Sequence, residues 1–104
     1  MSEVHVIAVI TCKPGQRAEV LEVFQANVPA VHAEKGCLAY EATVDAEGLG
    51  PVQAPFGADT FVVVERWASL EDLKAHSVAP HMKDYGAKVK DLLAERKIHV
   101  LRAV

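Results

Sequence analysis

Four segments of the chain carry the apolar, β-branched residues that predict β-strands. Residues 4–12 are almost continuously apolar, which is typical of a strand covered on both faces. Residues 60–68 have the same character and form the most apolar stretch of the chain. Residues 37–44 predict a further strand because they combine tyrosine, threonine and valine, and residues 97–104 close the chain as the fourth.

Helical spacing of apolar residues follows the first of these strands. From Arg17 onward, apolar side chains recur every three to four positions among polar ones, at Val20, Phe24, Val28 and Val31. This pattern predicts an amphipathic helix. We expect Pro29 to bend or interrupt it, since proline lacks the backbone donor, and Gly36 to end it as the C′ residue.

A second helical region follows residue 68 and is split by a proline. Ser69 is a good N-cap, and Asp72 resembles the acidic end of a capping box, so a helix should start there. It should end near Ser77, because Pro80 disfavours helical backbone at the preceding residue. A further helix from about Pro80 has an apolar face formed by Met82, Tyr85, Val89 and Leu92.

The resulting order is β-α-β-β-α-β with the second helical segment split, which predicts an α+β, ferredoxin-like sandwich with helices on one face of an antiparallel sheet. The first and third strands are apolar on both sides, so the other sheet face should be buried too. The simplest cover is the same face of a second copy, in a C2 homodimer. Residues 45–59 hold many glycines and prolines and predict a long loop, which could serve as a lid or an interface arm.

Length and composition describe one domain, residues 1–104. The chain is 51% hydrophobic and 24% charged, which excludes a disordered or collagen-like protein. Its net charge of −3 is spread along the sequence, so no basic face for nucleic acid is expected. Apolar runs are too short for a membrane span, and no secretory signal is visible, so we expect a cytoplasmic protein. Two distant cysteines do not form a zinc motif, and we expect no metal.

Candidate chemistry centres on the third strand and the split helical region. Alternation places four side chains of this strand on one face: Phe61, Val63, Glu65 and Trp67. If that face meets the helices, Glu65 and Trp67 lie near His76 and His81. Histidine has an unperturbed pKa of about 6.5, which suits proton abstraction at neutral pH.

Each of these residues also has a purely structural interpretation. Trp67 can be a core residue, and each histidine can be structural or exposed. The five-residue spacing of His76 and His81 does not suit a metal pair on one helix face. Tyr40 and Tyr85 could add phenolic hydrogen bonds or simply pack. The sequence has no glycine-rich phosphate loop and no Gly-x-Ser-x-Gly turn, so hydride transfer and nucleophilic hydrolysis have no support.

Several motifs together resemble the antibiotic biosynthesis monooxygenase family, and within it the bacterial small quinol monooxygenases. They are Lys13-Pro14-Gly15-Gln16, the run from Glu34 to Tyr40, the run from Glu65 to His76, and Pro80-His81-Met82. The resemblance implies a dimeric α/β barrel that oxidises a quinol or related phenolic substrate with O2 and needs no metal, flavin or haem.

The same resemblance implies a set of site residues. Trp67 matches the pocket tryptophan of the family, and His76 and His81 match the histidines after it, with His76 expected as the base or as a phenol-binding group. The expected substrate-binding residues are Tyr40, Phe61, Val63, Glu65 and Tyr85. Val63 stands where some polyketide oxygenases of the family have asparagine, and the first strand lacks the asparagine of the haem-degrading relatives, which weakens both of those assignments.

Two other functions stay open at this point. One is an isomerase of a small phosphorylated dicarbonyl within the same superfamily, in which histidine moves a proton and O2 is not used. The other is a stress-associated protein that binds hydrophobic small molecules without turnover. The oxygenase hypothesis depends on Trp67 and His76 facing one apolar, water-poor chamber between the sheet and the helices.

Overall fold

The computed structural model describes residues 2–104 and confirms the ferredoxin-like α+β fold. The elements are β1 Val4–Cys12, α1 Arg17–His32, β2 Cys37–Thr43, β3 Thr60–Trp67, α2 Leu70–Ser77, α3 Pro80–Val89, a short 3-10 turn at Lys90–Leu92, and β4 Leu93–Leu101. Among residues 2–104, no helix is both long enough and apolar enough to cross a membrane.

The four strands form one antiparallel sheet in the order β2-β3-β1-β4. Directly opposed residues point to the same face of a sheet. Glu65 in β3 stands opposite Val6 in β1 and Tyr40 in β2, so these three side chains share a face. All three are buried, and their face carries the main hydrophobic core together with Val20, Phe24 and Val31 of α1. The site residues of β2 and β3 therefore lie under the helices.

The first helix differs from its predicted form. Pro29 does not interrupt α1, which continues to His32. Val31 is fully buried in the core, and this packing holds the last turn despite the missing proline donor. Gly36 is not the C′ residue of the helix, because the C-cap is Ala33. Gly36 instead has a φ of +80° just before β2, and its carbonyl accepts the N–H of Ala68 at 2.8 Å.

The last strand begins earlier than predicted. It runs from Leu93 to Leu101, whereas the sequence pattern placed it at residues 97–104. Its start has no β-branched alternation, and pairing with β1 extends it, from Leu93 opposite Cys12 to Leu101 opposite His5. After Leu93 its side chains are exposed on both faces.

Residues 45–59 contain no helix or strand, as predicted, and β2 ends at Thr43, one residue before its predicted end. The two ends of this segment are tied together by Asp45, whose carboxylate accepts the backbone N–H groups of Phe56 and Gly57, each at 2.9 Å. These hydrogen bonds lower the pKa of Asp45. A role as lid or interface arm stays a prediction.

Candidate functional site

The centre of the site is a tryptophan joined to a glutamate on β3. The indole Nε1–H of Trp67 donates to Oε1 of Glu65 at 2.8 Å, and both side chains are buried. They share a face because they are two residues apart on a strand. Burial is the largest influence on the Glu65 carboxyl and raises its pKa. The site thus contains a buried titratable group beside its indole.

His76 lies against this pair. Its ring centroid is 4.6 Å from that of Trp67 and 5.5 Å from that of Tyr40, and the residue is only 4% exposed. Trp67 and His76 are therefore in contact, as the sequence predicted. Nε2 of His76 forms no hydrogen bond within residues 2–104. In the same part of the chain every fully buried side-chain nitrogen or oxygen has a partner, so this nitrogen keeps contact with solvent.

The carboxylate of Glu34 joins the two histidines. Its Oε2 lies 2.9 Å from Nδ1 of His76 and 2.6 Å from Nε2 of His81. The side chain of Glu34 is 13% exposed, against 6% for His76 and 28% for His81. Sequence reasoning missed this residue as a site residue. Glu34 is part of the motif that precedes β2, but no local spacing connects it with α2 or α3.

Local structure explains why the two histidines meet one carboxylate. The Oγ of Ser69 accepts the N–H of Asp72 at 3.1 Å, which starts α2 directly after Trp67, as predicted. His76 lies in the last turn of α2. Pro80 occupies the first turn of α3, where its missing N–H costs little, and the chain turns so that His81 returns towards His76.

Aromatic rings fill the space next to His76. Phe24 of α1 stacks on Tyr40 at 5.1 Å between ring centroids and meets Phe61 and Tyr85 edge-on at 5.8 and 5.9 Å. Burial raises the pKa of Tyr40 and raises that of Tyr85 to about 12. Both therefore stay protonated phenols at neutral pH and can donate hydrogen bonds.

Two of the predicted substrate-binding residues, Phe61 and Val63, lie in the hydrophobic core. Phe61 is fully buried and Val63 is 4% exposed. Both share the helix-covered face of β3 with Glu65 and Trp67. Neither contacts His76 through an aromatic pair or a hydrogen bond among the described residues. They form the wall behind the site.

A cavity of about 330 Å³ lies between α1 and α3. Its lining includes Asn27, His81, Asp84, Tyr85 and Lys88. A second cavity, of about 260 Å³, lies under residues 43–62 and is lined in part by Phe61. Trp67 and His76 line neither of these two cavities, since their rings pack against each other between β3 and α2. Neither cavity is therefore the shared apolar chamber that the oxygenase hypothesis expected. His81 is the histidine that reaches the larger cavity.

Within residues 2–104, no group of three or more histidine, cysteine, aspartate or glutamate side chains is arranged to hold a metal ion. Cys12 is buried and Cys37 is half-buried, and both are free thiols. Burial raises the pKa of each thiol, so neither is an activated thiolate.

Comparison with known proteins identifies the family. The family model described as antibiotic biosynthesis monooxygenase matches residues 3–88, which is most of the chain. The chain belongs to the antibiotic biosynthesis monooxygenase family. Family membership supports a small-molecule monooxygenase and confirms the resemblance seen in the motifs.

Similar proteins cover nearly the whole chain. A protein of Escherichia coli K12 named "Probable quinol monooxygenase YgiN" is 39% identical over 99 residues, covering 93% of this chain and 94% of the relative. The crystal structure of PA3566 from Pseudomonas aeruginosa has a TM-score of 0.83 at 25% identity and covers 100% of this chain and 96% of that one. Rv0793 from Mycobacterium tuberculosis has a TM-score of 0.80 at 29% identity and covers 99% and 96%.

Proposed function

We propose that this protein oxidises a quinol or a related phenolic small molecule with O2 and without a bound cofactor. The observation that carries the proposal is the placement of His76, which is buried against Trp67, tied through Nδ1 to Glu34, and unpaired at Nε2. A base with one fixed nitrogen and one free nitrogen suits removal of a phenolic proton. The 39% identity to a protein named as a quinol monooxygenase supports the substrate class.

The chemistry needs little more than a base and apolar walls. His76 Nε2 accepts one phenolic proton, and the resulting quinolate is electron-rich enough to pass one electron to O2. The substrate radical and superoxide then combine through a new C–O bond, and loss of water leaves a hydroxylated quinone. If a second electron and proton follow the first instead, the products are the quinone and H2O2. Both routes oxidise the quinol and reduce O2, and neither needs a further oxidant or reductant.

The surrounding residues support this reaction in distinct ways. We assign Tyr40 and Tyr85 as phenol donors to the substrate oxygens, because both rings belong to the aromatic cluster next to His76 and tyrosine is a protonated phenol at neutral pH. Glu65 holds the indole of Trp67 in place, and the buried indole in turn packs against the ring of His76 and fixes its position. The cavity lined by His81 and Tyr85 supports an approach of the substrate between α1 and α3. Water exclusion by the aromatic cluster keeps the radical pair together.

We also propose a homodimer through the sheet face that the helices leave free. Ile7 and Val64 stand opposite each other on that face, and both are only half-buried in a single chain. Val9 is adjacent and half-buried as well. Apolar residues at the centre of an open sheet face are typical of a surface covered by an identical copy.

Oxygen consumption with menadiol tests the enzymatic proposal. The wild-type rate, after subtraction of autoxidation, should exceed zero, and His76→Ala should return it to the autoxidation rate. Lys83→Ala, an exposed change on α3, is the matched control and should keep the wild-type rate. Equal O2 uptake with and without protein across a panel of quinols would contradict the proposal. Binding of menadione by wild type and His76→Ala without turnover would indicate a binding protein.

A further inference from the structure

One oxygen of Glu34 lies between two imidazole rings and accepts a hydrogen bond from each. Oε2 is 2.9 Å from Nδ1 of His76 and 2.6 Å from Nε2 of His81. An ionised carboxylate has no hydrogen to donate and can only accept. Each ring nitrogen that faces Oε2 must therefore carry a hydrogen, and in a neutral imidazole the other nitrogen then has the free lone pair.

We propose that Glu34 is a positioning residue that fixes opposite tautomers in the two histidines. His76 carries its hydrogen on Nδ1 and presents the lone pair of Nε2. His81 carries its hydrogen on Nε2 and presents the lone pair of Nδ1. A free imidazole exchanges between the two tautomers, so this assignment is imposed by the shared carboxylate.

Burial makes the assignment strict. The Glu34 side chain is 13% exposed, and among residues 2–104 its ion pairs are formed with these two histidines only. A mostly buried carboxylate without a hydrogen-bond donor is costly, so the two N–H groups stabilise it. A backbone hydrogen bond supports the position of Glu34 relative to the two histidines. The carbonyl of Gly36, two residues after Glu34, accepts the N–H of Ala68, which lies between β3 and α2.

The consequence for catalysis rests on the proposed function. If His76 removes the phenolic proton, it does so with Nε2, and Glu34 stabilises the imidazolium that results. His81 has its lone pair on a different ring position and lines the cavity between α1 and α3. The two histidines are therefore not interchangeable, although both contact the same oxygen.

Replacing Glu34 with leucine is the informative change for the tautomers. Leucine has a similar size but offers no acceptor, so the two ring nitrogens that face Oε2 lose the partner that selects them, and each imidazole can exchange between tautomers. Glutamine is the informative change for the charge, because its amide oxygen can still accept from both rings while the side chain is neutral.

The experiment is ¹H–¹⁵N correlation spectroscopy of the histidine rings in protein labelled with ¹⁵N-histidine. Spectra recorded at about pH 8.5, two units above the ordinary histidine pKa of about 6.5, show which ring nitrogen carries hydrogen. His76→Gln and His81→Gln assign the signals by their loss. We expect Nδ1–H in His76 and Nε2–H in His81, loss of the single tautomer in at least one of them in Glu34→Leu, and no change in the control Glu71→Leu, whose carboxylate is exposed.

Wild-type spectra alone decide the proposal, even if Glu34→Leu does not fold. Nε2–H in His76 or Nδ1–H in His81 in the wild-type protein would overturn it. With menadiol as substrate, Glu34→Gln should lower kcat by about 100-fold, the scale of a general-base contribution, with a smaller effect on KM. Absence of menadiol oxidation in wild type would contradict the proposed function while leaving the tautomer result intact.

Discussion

Trp67 donates its indole N–H to Glu65, the residue two positions earlier on the same strand, at 2.8 Å. Both groups are buried, so each supplies the hydrogen-bond partner that water would provide at the surface. Trp67→Phe should leave Glu65 Oε1 without this donor and cost about 1–3 kcal/mol of unfolding free energy, in addition to the loss of ring volume. Urea denaturation followed by circular dichroism measures this cost.

A double-mutant cycle separates the hydrogen bond from the volume change. The double variant Trp67→Phe/Glu65→Leu has no polar group left unpaired at this position. It should lose less stability than the sum of the two single variants, because the unsatisfied acceptor is gone. Strict additivity would contradict a coupled pair.

The pH dependence of stability should reveal the ionisation of Glu65. Burial raises the pKa of this carboxyl in the folded protein. Its protonated form therefore contributes stability that is complete below the ordinary glutamate pKa of about 4.3 and is lost as the pH rises through the higher folded value. Each unit of the rise corresponds to about 1.4 kcal/mol.

Glu65→Gln should lack that loss, because glutamine does not ionise and its amide oxygen still accepts from Trp67. The stability of Glu65→Gln relative to wild type should increase with pH from about 4.3 upward, as measured by urea denaturation at several pH values. Glu71→Gln, at an exposed position, should show no such trend. A constant difference between Glu65→Gln and wild type would argue against a raised pKa.

Gly36 permits a close approach between the turn after α1 and the first turn of α2. A Cβ at this position would overlap the carboxyl group of Asp72, and the φ of +80° disfavours other residues. Gly15 has nearly the same φ, +78°, but open space around its Cα. Both Gly→Ala variants should therefore carry the backbone cost of about 1–2 kcal/mol, and Gly36→Ala should lose more.

The extra loss in Gly36→Ala reports the displacement of α2. Because α2 carries His76 and the turn carries Glu34, this variant should also lengthen their contact and reduce menadiol oxidation. Gly15→Ala should keep the activity. Thermal unfolding and O2 uptake of the two variants provide the comparison, and equal behaviour would show that the contact with Asp72 is unimportant.

The proposed dimer is tested at the centre of the open sheet face. Val64→Glu places a charge opposite Ile7 and should convert a dimer into monomers, because burying an unpaired carboxylate is costly. Light scattering coupled to size-exclusion chromatography measures the mass. Val78→Glu, at a position 63% exposed between α2 and α3, is the control and should leave the mass unchanged. A monomeric wild type would contradict the dimer.

Sequence patterns predict most of this fold, because most of its helices and strands are determined by residues that are close in sequence. Alternation along β3 places Glu65 and Trp67 on one face, and the structure confirms it. Ser69 starts α2 as a cap, again by a contact within four residues. The errors arise where distant packing decides: Val31, buried in the core, carries α1 past Pro29, and pairing with β1 extends β4 back to Leu93.

The candidate site shows the same division. Trp67 and His76 are close in sequence, separated by a capped helix of known pitch, so their contact could be predicted. Glu34 is 42 residues from His76 and 47 from His81, and no periodicity spans such distances. Its role depends on how α1 and β2 are joined, which only the folded chain determines.

The hydrogen bonds of Asp45 determine how freely the sequence of residues 46–55 can vary. Its carboxylate holds Phe56 and Gly57 at the neck of the segment, while Leu49 and Val52 stand out into solvent. The two ends of residues 46–55 therefore lie close together. An insertion, deletion or substitution among these residues does not displace β2 or β3. Evolution can alter this segment while the strands on either side keep their register.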